Sequence, residues 1–343
     1  MNQVDYIIVG GGFAGFFLAH QLKKNNASFV IFNGNKTSGS HISAGVCNPV
    51  ILKRFSTFWK SKVQMHYLET IFSEIEDYTS KNYLIKEPVA RIFHDEAEKV
   101  QWLKNSNKDD LKSFLSHDFI NLKSVDNPLD SGIVNGSCRV DVEGFFKDMR
   151  TFFESHGSII NDNFDYDSID IRNSVYKNFT FKNIIFCEGI HVNDNPFFNT
   201  LPVVPNKGHC LEVEINQEID PFIIKKKHFL FSLSKNRFYY GGTYGRLDNS
   251  EEIDPEFVEE LESGLKAFYK NQYEIVKVKT AFRATVDDRR PILGTHSEYE
   301  NLKIFNGLGA RGVLNGSYFS NVMCDYLQHK TELDPEIDVK RFY

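Results

Sequence analysis

The order of apolar runs and amphipathic segments along the chain predicts an α/β protein. An apolar run at residues 6–9 leads through glycines into a stretch whose apolar residues recur at helical spacing, and a second apolar run follows at residues 29–32. This order predicts a strand–helix–strand unit at the start of the chain. Strands that lead into helices recur at residues 140–153 and 304–327, and an apolar strand that ends in a glycine turn lies at residues 184–189.

Between these units, short runs with alternating apolar positions predict a second, β-rich region. The predicted strands lie at residues 83–93, 210–214, 228–233, 237–240 and 275–285. Helical spacing predicts further helices at residues 55–78 and 255–269, and a short one after Asp95, a residue type that caps helices. Residues 104–137 are polar and contain turn signals, so we expect irregular structure there.

The glycines after the first strand carry the clearest chemical signal. Gly10, Gly12 and Gly15 have the spacing of a dinucleotide-binding turn, in the strand–helix–strand setting that this motif requires. Gly10 permits the tight turn, Gly12 lets the backbone approach a pyrophosphate, and Gly15 lets helix and strand pack closely. An ordinary glycine-rich turn is the alternative. Asn33 stands near the position where a carboxylate usually holds the ribose, so we expect weaker or water-mediated ribose binding.

Composition narrows the class of protein further. With 343 residues the chain is long enough for two domains, and its net charge of −6 gives no overall electrostatic footprint for nucleic acid. Residues 225–227 form a compact lysine cluster between apolar segments, which we interpret as a solvated strand end or turn.

The five cysteines are scattered without metal-ligand spacing, so we expect free thiols, no metal site and a cytoplasmic location. We expect neither a signal peptide nor a membrane span.

Several segments, in this order, resemble those of the FAD-dependent amino acid oxidase superfamily, which includes D-amino acid oxidase, glycine oxidase and sarcosine oxidase. The resemblance is carried by the glycine turn and by five later segments, at residues 43–49, 140–145, 185–189, 282–294 and 307–312. Asn48, Pro49 and residues 309–312 most resemble the oxidase domain of the bifunctional tRNA 5-methylaminomethyl-2-thiouridine synthesis enzyme. The methyltransferase half of that enzyme is absent from this sequence.

The resemblance implies a Rossmann-like FAD-binding domain of the glutathione-reductase type with an inserted antiparallel β-rich substrate domain. The FAD-binding domain would comprise residues 1–82, 138–200 and 284–343, and the substrate domain residues 83–137 and 201–283. FAD would bind non-covalently, since His41 is offset from the attachment position of covalent relatives. The implied cofactor contacts are Gly10, Gly12, Phe13, Ala14, Gly15, Asn33, Ser43, Ala44, Gly45, Gly189, Gly307, Gly309, Ala310, Gly312 and Val313.

Three residues are candidates for catalysis by resemblance. Arg283 would bind the substrate carboxylate with its guanidinium fork, although a structural ion pair is the alternative. Tyr244 would line the substrate pocket or simply pack, and Arg311 would add charge near the flavin or remain solvated. Lys207 could lie near the flavin and assist oxygen, but a surface lysine is the more ordinary interpretation. Cys47 would lie near the cofactor as an inert apolar residue.

These residues together favour an enzyme that oxidises the C–N bond of an amino acid or N-substituted glycine. Its partners would be a small amine or amino acid substrate and either oxygen or another electron acceptor. The nearest alternative is an oxidase that acts on a tRNA uridine side chain. A non-catalytic flavin-binding subunit of an oxidoreductase complex is the alternative from another class, and a protein that binds NAD alone is a third.

Overall fold

The structure is a computed structural model that describes residues 1–34, 38–245 and 250–343. The α-helices of these residues are α1 Phe13–Lys24, α2 Ser61–Thr79, α3 Glu96–Asn105, α4 Val142–Ser155, α5 Pro255–Lys266 and α6 Gly312–His329. Short 3-10 helices occur at Tyr166–Ser168, Gly189–Asp194, Gly309–Arg311 and Val339–Phe342.

The strands form two large sheets and three small ones. In chain order they are β1 Asn2–Gln3, β2 Tyr6–Val9, β3 Phe29–Phe32, β4 Val46–Cys47, β5 Val50–Ile51, β6 Ser56–Thr57, β7 Leu84–Ile85, β8 Val89–Ile92, β9 Leu115–Ile120, β10 Ser131–Val134, β11 Cys138–Val140, β12 Ile159–Ile160, β13 Ile169–Asp170, β14 Val175–Tyr176, β15 Phe179–Thr180, β16 Asn183–Phe186, β17 Val204–Glu214, β18 Ile223–Lys225, β19 Phe229–Ser234, β20 Arg237–Gly241, β21 Glu274–Thr285, β22 Ile292–Thr295 and β23 Leu302–Asn306.

The first large sheet has six strands in the order β12-β3-β2-β16-β23-β22, all parallel except for β22. Its central strands are continuous apolar runs because both faces are covered, as is usual in parallel sheets. All four residues of β2 are buried. Helices α1, α2, α4 and α6 share a core cluster on one side of this sheet. The four-stranded sheet of β1, β15, β14 and β13 contributes to a second core cluster.

Phenylalanine packing fixes α1 in this arrangement. The ring of Phe13 lies 4.9 Å from that of Phe146 on α4, and Phe17 lies 5.3 Å from Phe145, centroid to centroid. Helix α6 packs along α1, so α1 is buried on nearly all sides. This burial explains why its apolar residues extend beyond a single stripe.

The second large sheet has eight strands in the order β21-β17-β20-β19-β18-β8-β10-β9. Neighbouring strands are antiparallel except for β18 and β8. Helix α5 packs on this sheet through Leu261 and Leu265, which belong to a core cluster with Leu211, Val213 and Tyr240 of the sheet. This is the β-rich region that the alternating apolar positions predicted.

The strands of the two large sheets fall within the segments assigned to the two domains, except that the end of β21 passes residue 283. The chain has the expected α/β class, and the inserted sheet is antiparallel apart from one strand pair. The domain boundaries themselves remain a prediction.

Two local predictions were wrong. The helix expected at residues 55–78 begins at Ser61, because residues 56–57 form a hairpin with β5 and Lys60 before it has a left-handed backbone with φ of 55°. The segment expected to be irregular, residues 104–137, contains β9 and β10. Polar residues on the exposed part of β9, such as His117 and Asp118, concealed its alternation. The predicted cap is confirmed, since the Asp95 side chain accepts a hydrogen bond from the Glu98 backbone N–H.

Candidate functional site

A cavity of about 620 Å³ lies where the two large sheets approach each other. One end, which we call the nucleotide end, is lined by the turns after β2, β3 and β16 and by residues 38–46. The other end, which we call the sheet end, is lined by residues on β17, β18, β19, β20 and β21. The residues before and at the start of α6, from 308 to 314, also line the cavity.

The glycine turn brings the backbone of α1 against β2 at the nucleotide end. Gly10 has a φ of +109°, a conformation that favours glycine. A Cβ on Gly15 would lie 1.9 Å from the Gly10 carbonyl oxygen, so only glycine fits there. Gly15 does not line the cavity, and its contribution is the close helix–strand packing expected from the motif.

The amino terminus of α1 opens onto the cavity. Gly12, Phe13 and Ala14 all line it, and the first turn of the helix carries no acidic residue. The backbone N–H of Phe13 donates to Ser40 Oγ at 3.2 Å. A helix start with a positive dipole end and backbone donors is suited to binding a phosphate group. Ser40 is a contact that sequence reasoning missed, because it lies in a loop of small residues without a motif.

Asn33 also lies at the nucleotide end, where its Oδ1 accepts a hydrogen bond from the Gly11 N–H at 3.2 Å. A carboxylate that sequence reasoning missed lies on the other side of β2, at Glu188. The Tyr166 hydroxyl donates to Glu188 Oε1 at 2.5 Å, and Asn195 Nδ2 donates to Oε2 at 2.7 Å. The nucleotide end therefore contains one carboxylate, although not at the position expected from the motif.

Most of the other expected cofactor contacts line the same cavity. These are Ser43, Ala44, Gly45, Gly189, Gly309, Ala310, Gly312 and Val313. Gly307 does not line it. Asn306 connects two of these segments, because its Nδ2 donates to the Gly189 carbonyl at 2.9 Å and its Oδ1 accepts from the Gly307 N–H at 2.8 Å.

Arg283 lies at the sheet end, on β21. Its Nη1 donates to Asn206 Oδ1 at 3.2 Å and to the Thr243 carbonyl at 3.0 Å. The guanidinium lies over the ring of Tyr244, 4.2 Å from its centroid. A Cβ on Gly208 would lie 2.5 Å from Arg283 Nη1, so this glycine leaves the space that the guanidinium occupies. These contacts hold the guanidinium in place without a carboxylate partner in the described residues.

Tyr244 and Arg311 complete the set of predicted catalytic residues, and both line the cavity. Tyr244 is largely exposed, and its ring supports Arg283. The Arg311 guanidinium lies 4.8 Å from the centroid of the Phe58 ring. Burial lowers the pKa of Arg311 from its usual value. The structure thus brings all three predicted residues to one cavity.

The remaining candidates have more ordinary surroundings. His41 lines the cavity and stacks on Phe146 with ring centroids 4.1 Å apart. Cys47 is buried outside the cavity, and its contact with Cys138 and its burial raise the pKa of its thiol well above the usual value. Lys207 is buried rather than on the surface, and its Nζ donates to Ser250 Oγ at 3.4 Å.

The lysine cluster lies at a strand end, as its setting predicted, but its first residue also faces the cavity. Lys225 is only partly exposed and lines the sheet end of the cavity, because it is the last residue of β18 on the face that also carries Phe229 of β19. Lys227 lines the cavity too, but its Nζ pairs with Glu260 at 2.7 Å. A strand end that faces a cavity and one that faces solvent give the same sequence pattern.

Cations predominate around the cavity. Among the described residues, five lysine and arginine side chains line it, namely Arg150, Lys225, Lys227, Arg283 and Arg311, but only one carboxylate, Glu188. Such a lining favours anionic ligands. The described part of the chain has no cluster of three or more histidine, cysteine, aspartate or glutamate side chains that could hold a metal ion. None of its helices combines the length and the apolar character required to cross a lipid bilayer.

Comparison with known proteins shows the family to which the chain belongs. The family DAO, described as FAD-dependent oxidoreductases, matches residues 5–326. This match covers the glycine turn, both large sheets and most of α6.

Solved structures with a similar fold include three oxidoreductases. Glycine oxidase from Geobacillus kaustophilus is 16% identical, with a TM-score of 0.80 over 100% of this chain and 98% of that one. Iminodiacetate oxidase from Chelativorans sp. BNC1 is 18% identical, with a TM-score of 0.80 over 96% and 97% of the two chains. L-Proline dehydrogenase from P. horikoshii is 14% identical, with a TM-score of 0.77 over 99% and 98%. At these identities the likeness shows the fold, and the resemblance to the tRNA enzyme remains a prediction.

Proposed function

Because this chain belongs to the family of FAD-dependent oxidoreductases, we propose that it oxidises the C–N bond of an N-substituted glycine or amino acid held by Arg283. The observation that carries the proposal is the guanidinium of Arg283 at the sheet end of the cavity, which the described residues leave without a carboxylate partner. Glycine oxidase and iminodiacetate oxidase, two structural neighbours, are named for substrates of this chemical class.

The residues of the nucleotide end fit FAD. The first turn of α1 offers backbone donors and a dipole end for the pyrophosphate, and Gly10 and Gly15 bring that turn against β2. Asn33 and Glu188 offer polar groups on either side of the turn for the ribose. Gly309, Ala310 and Gly312 would border the flavin ring, and Arg311 would place a positive charge beside it.

The substrate would bind across the sheet end. The Arg283 fork would accept its carboxylate through two parallel N–H···O bonds, with Asn206 and the Thr243 carbonyl keeping the fork in orientation. Fixing the carboxylate fixes the adjacent carbon, which is the one that reacts. In the described lining of the cavity, Glu188 is the sole carboxylate, and it lies at the nucleotide end, so the substrate amine would bind in its neutral form without a protein base.

The proposed reaction is a two-electron oxidation of the substrate followed by hydrolysis. When bound, FAD supplies the two-electron acceptor. Oxidation removes two electrons and two protons from the N–CH bond and leaves an imine. Water then hydrolyses the imine to an amine and a 2-oxo acid, which is glyoxylate for an N-substituted glycine. The electrons pass finally to oxygen or to another acceptor.

The test combines a substrate panel with Arg283 variants. The purified holoenzyme is mixed anaerobically with amino acids and N-alkyl glycines, and bleaching of the flavin absorbance is followed. We expect Arg283→Ala to lower kcat/KM for carboxylate substrates by an amount equivalent to about 2–5 kcal/mol, because a charge-assisted pair in a partly desolvated site is lost. Arg283→Lys should recover only part of the activity, since an ammonium lacks the fork.

Arg172, which lies in an exposed turn and does not line the cavity, provides the matched control. Arg172→Ala removes the same charge and should leave kcat/KM unchanged. An unchanged kcat/KM in Arg283→Ala would contradict the carboxylate-binding role. Absence of bleaching with every amine in the panel would contradict the proposed reaction itself.

Non-covalent attachment of FAD is a separate part of the proposal. His41 is offset from the attachment position of covalent relatives, and its ring is stacked on that of Phe146. Acid precipitation should therefore release the flavin into the supernatant. Flavin that stays in the protein pellet would show covalent attachment.

A further inference from the structure

Lys225 is a cation for which the proposed reaction has no use. It lines the sheet end of the cavity, its Nζ donates to the Lys227 carbonyl at 3.3 Å, and it lies 3.8 Å from the centroid of the Phe229 ring. No carboxylate of the described residues lies within 4.0 Å of it. A backbone carbonyl and an aromatic face are weak substitutes for a counter-ion.

The neighbouring cations do have counter-ions. Arg91, opposite Lys225 on β8, donates to Glu98 through Nε at 2.9 Å and Nη2 at 2.6 Å. Lys227 pairs with Glu260 at 2.7 Å. Lys225 is therefore the one lysine among the described cavity-lining residues that has no acidic partner. A desolvated ammonium without a partner is costly unless a ligand supplies the negative charge.

Sheet geometry separates Lys225 from Arg283 within the same cavity. Lys225 is opposite Phe229 on β19, and Phe229 is opposite Gly241 on β20. Arg283 Nη2 lies 3.1 Å from the Cβ position of Gly242, the next residue. Since neighbouring strands are about 4.8 Å apart, two spacings place the backbone of Lys225 roughly 10 Å from that of Gly241. Lys225 and Arg283 therefore lie at the same end of the cavity, within reach of a single small molecule.

We propose that Lys225 binds a second carboxylate of the substrate, so that the preferred substrates are N-substituted glycines with an acidic N-substituent. This inference rests on the proposed function for the role of Arg283. A single ammonium matches the single charge of a carboxylate. A phosphate dianion is usually bound by several donors or by an arginine fork. The two cavity-lining arginines without a carboxylate partner, Arg283 and Arg311, are already assigned to the substrate carboxylate and to the flavin, so a carboxylate is the better match for Lys225.

The test uses ligands that differ only at the second charge. N-(2-Carboxyethyl)glycine and N-propylglycine have the same length, as do the non-oxidisable thioethers 3-(carboxymethylsulfanyl)propanoate and (propylsulfanyl)acetate. Binding of the thioethers to the holoenzyme is measured by calorimetry, and oxidation of the amines by kcat/KM. We expect the dicarboxylates to be preferred by about tenfold or more in both measurements.

Variants of Lys225 distinguish a role of its charge in binding from a role in the structure of the protein. Lys225→Met and Lys225→Gln should each lose that preference and leave the monocarboxylates within about twofold. Lys225→Arg should retain most of it. Lys226→Met removes the neighbouring lysine, which does not line the cavity, and should leave the preference unchanged.

Three outcomes would overturn the inference. Equal affinity of the wild-type protein for the two thioethers would show that no second carboxylate is bound, and equal losses for both in the Lys225 variants would indicate a structural role. Inorganic phosphate that binds more tightly than the dicarboxylate, and only when Lys225 is present, would also overturn the carboxylate assignment. Preferential thioether binding without oxidation of any amine would instead contradict the proposed function and leave the Lys225 site standing.

Discussion

The two ends of the cavity are built in different ways. The nucleotide end is formed mainly by turns and loops, and its central turn, from Gly10 to the start of α1, offers backbone donors to the cavity. The sheet end is formed by side chains from separate strands, with Arg283 on β21 held by Asn206 on β17 and by Thr243 after β20. The first end depends on the shape of the main chain and the second on which strands are paired.

This contrast has a chemical reason. The cofactor is the same in every turnover, so backbone groups that any short motif can provide are sufficient to hold it. Substrate choice requires charges at particular distances, and these come from side chains that the sheet register brings together. Alterations at the nucleotide end should therefore affect cofactor and fold together, whereas alterations at the sheet end should affect substrates selectively.

The largest effect is expected at the glycine turn, where two alanine variants separate folding from cofactor binding. In Gly15→Ala the new Cβ would meet the Gly10 carbonyl at 1.9 Å, so α1 must move off β2 at a cost of about 1–3 kcal/mol or more. Gly12→Ala would meet only Ser40 Oγ at 3.0 Å. Urea unfolding of the apoprotein should show a large decrease in the free energy of unfolding for Gly15→Ala and a small one for Gly12→Ala. FAD titration should show weaker binding for both variants.

If Gly15→Ala unfolds at the wild-type urea concentration, the packing role assigned to that glycine is wrong. If Gly12→Ala binds FAD with wild-type affinity, the backbone of that turn does not approach the pyrophosphate.

The next largest effect is expected at Gly208, which lies against the Arg283 guanidinium. A methyl group there would lie 2.5 Å from Arg283 Nη1 and would displace the guanidinium. Gly208→Ala should lower kcat/KM for carboxylate substrates by about 10- to 100-fold, because small displacements of a positioning group have effects of this size. FAD affinity should be unchanged. Adding Gly208→Ala to Arg283→Ala should have little further effect on kcat/KM, and fully additive losses would show that Gly208 acts independently of Arg283.

A smaller effect is expected from pH at the sheet end. Burial, with a contribution from Arg91, lowers the pKa of Lys225 to about 7. Between pH 6 and pH 8 the ammonium loses its proton, so affinity for the dicarboxylate thioether should fall several-fold while affinity for the monocarboxylate changes little. The other charged or titratable groups around Lys225 are Arg91 and Lys227, which have carboxylate partners, and His228, whose pKa burial also lowers.

The Lys225→Met variant is the control for this pH effect. Its affinity for the dicarboxylate thioether should be independent of pH over the same range. A wild-type affinity that rises with pH would contradict the assignment, because the charge on Lys225 can only decrease.

The smallest effect is expected at Asn33. Asn33→Asp retains an oxygen that can accept from the Gly11 N–H and adds a carboxylate beside the turn. FAD affinity, measured by fluorescence titration, should equal the wild-type value or exceed it by a few-fold. Asn163→Asp, at the same end of the cavity but after β12, is the matched control and should not tighten binding. A loss of affinity in Asn33→Asp would mean that the asparagine amide is required as a donor.

The features that could be predicted from the sequence are those set by residues close together along the chain. The glycine turn, the cap at Asp95 and the class of the fold follow from local patterns, and the structure agrees with them. Arg283 could be singled out only through resemblance, because its contacts with Asn206 and Thr243 depend on the pairing of β17 with β21 and on the backbone that follows β20.

Other features could not be predicted because the deciding contact is distant in sequence. Lys225 and Lys227 look alike in the sequence, and the partner that distinguishes them, Glu260, lies on α5. Glu188 lies in segment 185–189, which carries part of the resemblance, but its position beside the glycine turn follows from the place of β16 next to β2. The start of α2 at Ser61 is set by a left-handed backbone at Lys60 that helical periodicity does not reveal.

The strand order of the six-stranded sheet has a consequence for how the chain folds. Strand β2 pairs with β3 near the start of the chain, but its other neighbour is β16, where Tyr6 is opposite Asn183, and β16 in turn requires β23 near the end. Such long-range pairing slows folding and leaves apolar strand edges uncovered while a ribosome is still extending the chain. An amino-terminal fragment that ends before β23 should therefore aggregate, and chaperones should raise the yield of the 343-residue chain.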